Sequence, residues 1–282
     1  MRFFLSIVLS LNTAYAFDWQ GHRGARGLYP ENTLGAMELA LNYPIKTLEF
    51  DVVVTKDKKI ILSHEPWMSH VICKTPEGKK IKGKEYNIYQ MNLVEVQAFD
   101  CGTLPHPDFP QQKKIKSVKP TLEDVVTGIE KQLKDKKRAA ISYNIEIKSS
   151  LENEKSGFQP AYQEFSELVI SELRKHLTLD RFSIQSFDWR VLQYLHHKHP
   201  DIRLVALKYG SFEVEGVIKE LGFKPWAFSP WFKDLTEEKV IAWQKKQVLV
   251  IPWTVNEMSD LKTIKELGVD GIITDYPDRI EK

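Results

Sequence analysis

Two histidines, three carboxylates and two fixed cations occupy places in this sequence where side chains can cooperate chemically. Glu49 and Asp51 lie two apart in Leu48-Glu49-Phe50-Asp51-Val52, as do Glu146 and Lys148 in Asn144-Ile145-Glu146-Ile147-Lys148. On extended backbone, side chains two apart share a face. Each polar pair therefore points one way, while Phe50 and Ile147 point the other, toward packing. Three carboxylates gathered at one place repel unless a cation sits among them, and oxygen ligands favour a hard divalent ion, Ca²⁺ or Mg²⁺, over zinc. The competing account is a rim of carboxylates paired with lysines. His22 and His64 each follow an apolar run, and two histidines across a site can divide the work of general base and general acid near neutral pH. Arg23 and Lys148 offer fixed positive charge for a phosphate, the arginine as a bidentate fork. Taken singly, a strand-end histidine is more often a structural hydrogen-bonding residue. Gly21, Gly24 and Gly27 allow the backbone beside His22 to turn sharply.

These residues need a scaffold that brings them to one end. Apolar, β-branched runs are read as strands at about 17–21, 47–54, 140–148, 182–186, 203–207, 226–229, 248–254 and 270–274. Helical patterns lie between most of them, at about 33–42, from Thr121 onward, 158–176, 188–195, 234–246 and 257–267. Thr33, Thr121 and Asp188 are suited to cap three of these. Eight strands alternating with helices fit a (β/α)₈ TIM barrel, whose active sites lie at the C-terminal ends of the strands. A doubly wound open sheet is the alternative, but the glycine-rich phosphate turn after the first strand, with an acidic residue about 20 positions on, is not convincing here. A short extra strand, Lys59 to Ser63, is expected to pair with the second barrel strand. From about residue 66 to 119 the rhythm breaks, with prolines at 76, 105, 107 and 110. That stretch reads as an insertion after the second barrel strand, the kind of loop that forms a lid or substrate wall.

The chain has 282 residues, Lys+Arg 40 against Asp+Glu 38, and 42% hydrophobic residues, an ordinary globular composition that fits one large barrel. A net charge of +2 provides no basic footprint for nucleic acid. Met1-Arg2, the apolar run Phe3 to Leu11 and then Ala14-Tyr15-Ala16 describe a secretory signal peptide over residues 1–16, leaving a single domain over 17–282. The run is far shorter than the roughly 18 apolar residues of a membrane span, so no anchor is expected after cleavage. The chain is therefore expected to be exported, periplasmic or secreted. In an oxidising compartment the two cysteines, Cys73 and Cys101, can close a disulfide; two thiols are the alternative.

Read together, the chemistry-bearing blocks resemble the glycerophosphodiester phosphodiesterases. They are His22-Arg23-Gly24, Pro30-Glu31-Asn32-Thr33, Glu49-Phe50-Asp51-Val52, Thr55-Lys56-Asp57 and His64. Further matches follow at Pro120-Thr121-Leu122-Glu123, Glu146-Ile147-Lys148, Gln185-Ser186-Phe187-Asp188, Trp253-Thr254-Val255-Asn256 and Gly271-Ile272-Ile273-Thr274-Asp275. The resemblance spans residues 21 to 277. It implies a TIM barrel with an insertion after its early strands, and hydrolysis of glycerophosphodiesters to glycerol 3-phosphate and an alcohol. It implies His22 and His64 as the acid–base pair, and Glu49, Asp51 and Glu146 as holders of one divalent cation. It further implies Arg23 and Lys148 at the phosphate, and Trp253 at the pocket mouth against the apolar edge of the substrate. Where that family usually has His-Asp, this chain has His64-Glu65. Two other functions compete. One is a lysophospholipase-D-like activity on acylated substrates, with Trp67, Met68, Met91 and Phe109 lining an apolar channel unless they form the insertion's own core. The other is a catalytically inactive, surface-binding barrel.

Overall fold

The computed structural model describes residues 17–280, so the expected signal peptide lies outside the described residues. The N-terminal part runs β1 (Asp18–Gly21), α1 (Leu34–Ala40), β2 (Thr47–Val54), β3 (Ile60–Leu62), α2 (Leu93–Val96) and α3 (Leu122–Asp135). Next come β4 (Ser142–Ile147), α4 (Leu151–Lys155), α5 (Tyr162–His176), β5 (Phe182–Ser186), α6 (Trp189–Lys198) and β6 (Arg203–Lys208). The chain then continues through α7 (Val214–Leu221), β7 (Ala227–Pro230), α8 (Glu237–Lys245), β8 (Leu249–Val250), α9 (Met258–Glu266) and β9 (Gly271–Thr274). The strands other than β3 pair in parallel in the order β8-β7-β6-β5-β4-β2-β1-β9. Three backbone bonds draw the ends of that order together: Asp270 N to Val250 O at 2.9 Å, Ile273 N to Pro252 O at 3.0 Å and Val255 N to Ile273 O at 3.0 Å. The result is the TIM barrel expected from the alternation.

The eighth barrel strand is shorter than the apolar run over 248–254 predicts. Pro252 has no N–H to give to a ladder, so regular pairing stops at Val250 while isolated bonds carry the chain on to Val255. The predicted caps form as the residue types dictate. Thr33 Oγ1 accepts from Ala36 N at 3.1 Å, and Thr121 and Asp124 make a reciprocal capping box that starts α3. Asp188 accepts from Arg190 N at the head of α6. Three helices lie outside the predicted ones: the short α2 and α4, and α7. Helix α7 buries Val214, Val217 and Leu221 and ends at Gly222, whose φ of 81° suits only glycine comfortably.

Between barrel and helices lies the main core, in which Phe50, Tyr143, Ile145 and Ile147 are fully buried and Trp243 stacks on Phe228 at 4.4 Å. Phe50 and Ile147 thus point outward, as the two-residue period requires. A second apolar cluster belongs to the insertion, where Met68, Ile72, Ile81, Ile88, Val96 and Phe99 pack with Val53 and Ile61, on the face of β2 and β3 opposite to Phe50. Cys73 and Cys101 sit inside that cluster and form a disulfide. A segment of some fifty residues with little regular structure has too little core to order itself, and the cross-link supplies the missing constraint.

Candidate active site

The turn after β1 puts two of the expected residues at the C-terminal end of the barrel. His22 N bonds Thr274 O on β9, and Gly24 N bonds Glu49 O on β2. Arg23 and Gly24 are both left-handed, at φ 47° and 85°, and a Cβ on Gly24 would sit 2.6 Å from the backbone of Ala36. Only glycine lets the turn press against α1 this closely. A left-handed arginine costs free energy, and such strain collects at functional sites.

Each histidine is held through its Nδ1 by a carboxylate. His22 Nδ1 lies 2.6 Å from Asp275 Oδ1, and Asp275 Oδ2 accepts from Asn256 Nδ2 at 2.8 Å. His64 Nδ1 lies 2.8 Å from Glu65 Oε1, so the longer arm of Glu65 folds back onto its neighbour and orients it. These contacts assign the Nδ1 proton to the carboxylate side in both rings and leave Nε2 for chemistry. Burial pushes both rings below the ordinary histidine pKa. For His22 the adjacent Asp275 opposes the shift; for His64 the Arg23 charge adds to it.

Glu49, Asp51 and Glu146 bring one ligand oxygen each to within 4.8 Å of the other two, and all three are buried. Glu49 accepts from Arg23 N at 2.9 Å and from Gln185 Nε2 at 2.7 Å. Burial and then the charge of Asp51 push its carboxyl well above the usual range. Burial likewise raises Glu146 to about 7, although Lys148 donates to it at 2.7 Å. Asp51 goes the other way. Burial alone would raise it, but Arg23, His64 and Lys148 hold it well below the usual range. Asp51 Oδ2 accepts from Asn32 Nδ2 at 2.9 Å, and Arg23 Nε lies 3.1 Å from the same oxygen. Its other oxygen, Oδ1, is buried without a hydrogen bond, with Lys148 Nζ 3.9 Å away. Pairing with lysine is therefore real at Glu146 but leaves Asp51 half satisfied. An unmet carboxylate oxygen beside two carboxyls of raised pKa is the donor set of a hard cation.

A cavity of about 180 Å³ joins His22, Arg23, Glu49, His64, Glu146 and Lys148 to Trp253. Trp253 is fixed by its indole N–H on Ser229 O at 2.8 Å, and its ring meets Phe187 at 5.3 Å. All the residues singled out for chemistry thus converge here, apart from Asp51, which stands directly behind the wall. Cys73 and Cys101 do not; they belong to the insertion core. Of the two readings of Trp67, Met68, Met91 and Phe109, an apolar channel or the insertion's own core, the methionines follow the second. Met68 and Met91 are in the insertion core, Trp67 packs on Phe158 at 5.6 Å, and Phe109 lies under Arg26. The aromatic wall of the cavity comes instead from loops at the barrel mouth, where Phe187 and Tyr209 are exposed and Tyr209 bridges Trp253 and Trp231.

The sequence left Glu31, Asn32, Gln185 and Asp275 without roles. Glu31 takes Arg23 Nη1 and Arg26 Nε on its two oxygens, each at 2.7 Å. Asp275 was the most accessible of these, being the residue that follows a strand on the side where barrel chemistry occurs. The polar partners of Glu49 and Asp51 had no such marker, because they depend on which strand ends become neighbours.

A parallel barrel with histidines, carboxylates and fixed cations at the C-terminal ends of its strands has the layout of a TIM-barrel enzyme. The sequence matches the glycerophosphoryl diester phosphodiesterase family over residues 22–279, and the chain belongs to that family of enzymes. It is 27% identical to a glycerophosphodiester phosphodiesterase of Bacillus subtilis (strain 168), over 93% of this chain and 84% of the relative. A lysophospholipase D of Rattus norvegicus is 24% identical over 93% of this chain and 84% of its own. A crystal structure from Silicibacter pomeroyi, named for the same family, superposes with a TM-score of 0.82 at 28% identity, covering 94% of this chain and 92% of that one.

Proposed function

We propose that the chain is a metal-dependent phosphodiesterase that hydrolyses small glycerophosphodiesters to glycerol 3-phosphate and an alcohol. One observation carries this: two carboxylate-held histidines, Arg23, Lys148 and two members of the three-carboxylate cluster, Glu49 and Glu146, line one small cavity, with Asp51 of the same cluster behind its wall. Glu49, Asp51 and Glu146 are the residues that would hold a single Ca²⁺ or Mg²⁺. Bound there, the ion would offset their mutual repulsion and polarise a phosphoryl oxygen. Arg23 and Lys148 present positive charge to a phosphodiester whose negative charge grows toward the transition state, the condition under which binding lowers a barrier. One histidine Nε2 takes the proton of the attacking hydroxyl, and the other gives a proton to the departing alcohol. Each such transfer contributes about 10²–10⁴ in rate. The expected result is release of glycerol 3-phosphate from glycerophosphocholine, followed by its dehydrogenase, and loss of that release in excess chelator. Full turnover after removal of all bound metal would overturn the metal dependence.

A second activity has its own observation. The exposed rings of Phe187 and Tyr209, continuous with Trp253 and Trp231, form an apolar strip that suits an acyl chain. Faster release from lysophosphatidylcholine than from glycerophosphocholine would favour a lysophospholipase-D-like enzyme over one for deacylated diesters. We also propose export with loss of residues 1–16, supported by the composition of that segment and by the disulfide between Cys73 and Cys101.

A further inference from the structure

Arg26 borders the same cavity, and the chemistry above assigns it no task. Arg23 donates from Nη1 to Glu31, its Nε lies 3.1 Å from Asp51 Oδ2, and its side chain is only 8% exposed, held back among these carboxylates. Arg26 is 20% exposed and uses only Nε, on the second oxygen of Glu31. Its two terminal nitrogens have no acceptor among the described residues. The insertion packs against this residue, with one contact to its side chain and the rest to the backbone around it. The Phe109 ring lies 4.7 Å from the guanidinium carbon, and Gln112 Nε2 donates to Arg26 O at 2.7 Å. Lys113 N bonds Leu28 O two residues further on. His106 stands 3.9 Å from the Glu31 oxygen that Arg26 uses, and its Nδ1 accepts from Asp108 N at 3.1 Å.

A guanidinium oriented on one edge and unmet on the other, at the wall of a pocket, is prepared for a planar group with two oxygens. The neighbouring carboxylates cannot serve a cationic head group in its place: Glu31 is shared by two arginines and Glu65 is turned onto His64. We infer that Arg26 is a specificity-determining residue that binds a carboxylate on the alcohol part of the diester, so that acidic head groups are preferred over those without one. The inference rests on the phosphodiester reading and adds a recognised head-group chemistry to it. It also gives the insertion a purpose, since the segment from His106 to Lys113 is what backs Arg26 and Glu31.

Glycerophosphoserine and glycerophosphoethanolamine form a matched pair that differs by one carboxylate. In the intact, metal-loaded protein, kcat/KM should favour the serine compound, and Arg26→Gln should lower the serine-to-ethanolamine ratio by about tenfold or more. Arg26→Lys, which keeps a charge beside Glu31 but loses the fork, should recover only part of that ratio. An equal loss on both substrates would overturn the inference, because Arg26 would then serve the scissile phosphate or the fold. So would a wild-type protein indifferent to the carboxylate. Calorimetric binding of phosphoserine against phosphoethanolamine, on wild type and both variants, decides the same point without turnover. A preference of wild type for phosphoserine that Arg26→Gln abolishes supports the inference, and equal affinities sink it. Failure to cleave either diester would count against the phosphodiester reading alone, since the binding pair still reports on Arg26.

Discussion

His22 and His64 depend on carboxylates behind them as much as on their own rings. His22→Ala and His64→Ala are each expected to lower turnover by at least about 10²-fold, the lower end for acid–base catalysis. Acting as a unit, the pair should show a double-variant loss hardly beyond the poorer single variant; a loss equal to the product of two large ones would mean separate roles. Asp275→Asn keeps the shape but frees the ring to turn or change tautomer, so kcat should fall by about 10²-fold with KM little altered. The carboxylates make a different prediction, readable in melting temperature. Glu146 holds its proton in the ion-free fold up to about 7, against 4.5 for the ordinary group, and Glu49 is raised in the same direction. Between those values the fold carries a proton that the unfolded chain has already released. Stability of the chelated protein therefore falls as pH rises through that window. A cation requires the ionised carboxylates and reverses the loss, so the rise in Tm on adding Ca²⁺ or Mg²⁺ should be larger at about pH 8 than at about pH 5. Glu49→Gln, which resembles the protonated form, should fold as well as the wild type without ion yet lose most of that rise. A Tm response independent of pH and of Glu49 would remove the cation from this site.

At the scale of elements, the insertion is the part with most to explain. Its cluster around Met68 and Phe99 is separate from the barrel core, and one disulfide joins two cysteines 28 positions apart within it. In the chain-entropy account, closing such a loop stabilises by roughly 3–4 kcal/mol, less any strain. Because Phe109, Gln112 and His106 of this segment back Arg26 and Glu31 at the edge of the site, reduction should raise KM more than it lowers the melting temperature of the barrel. Kinetics and calorimetry before and after reduction make the comparison, and unchanged kinetics would detach the insertion from substrate binding. Two thiols open to alkylation on the native protein would refute the bridge itself. The strands and long helices of the barrel were legible beforehand, since β-branched runs, caps at Thr33, Thr121 and Asp188, and apolar periodicity are local signals. The insertion's short α2 was not, because four residues carry no period. The end of β8 was misread because an apolar run says nothing about the missing N–H of Pro252 until a neighbouring strand needs it.

Over the whole molecule, burial of the outward-facing residues between strands and helices is what holds the barrel. Trp243 is fully buried against Phe228, and Trp243→Ala should cost about 3–5 kcal/mol in urea unfolding, while a loss under about 1 kcal/mol would mean the site collapses around the gap. The proposed export with loss of residues 1–16 predicts a mature chain that begins at Phe17, which N-terminal sequencing checks directly, and an intact Met1 would overturn it. By itself the sequence determined the alternation of strands and helices, the barrel, and the facing of Glu49 with Asp51 and of Glu146 with Lys148. Periods of two and 3.6 residues are properties of short segments, so they survive in one dimension. Only the tertiary structure decided that Asp275 backs His22, that Gln185 and Asn32 hold Glu49 and Asp51, and that Glu31 divides itself between Arg23 and Arg26. Those partners come from residues as far as 253 positions apart. Their pairing, and the pKa values it sets, follow from distance and burial, which exist only once the barrel has closed.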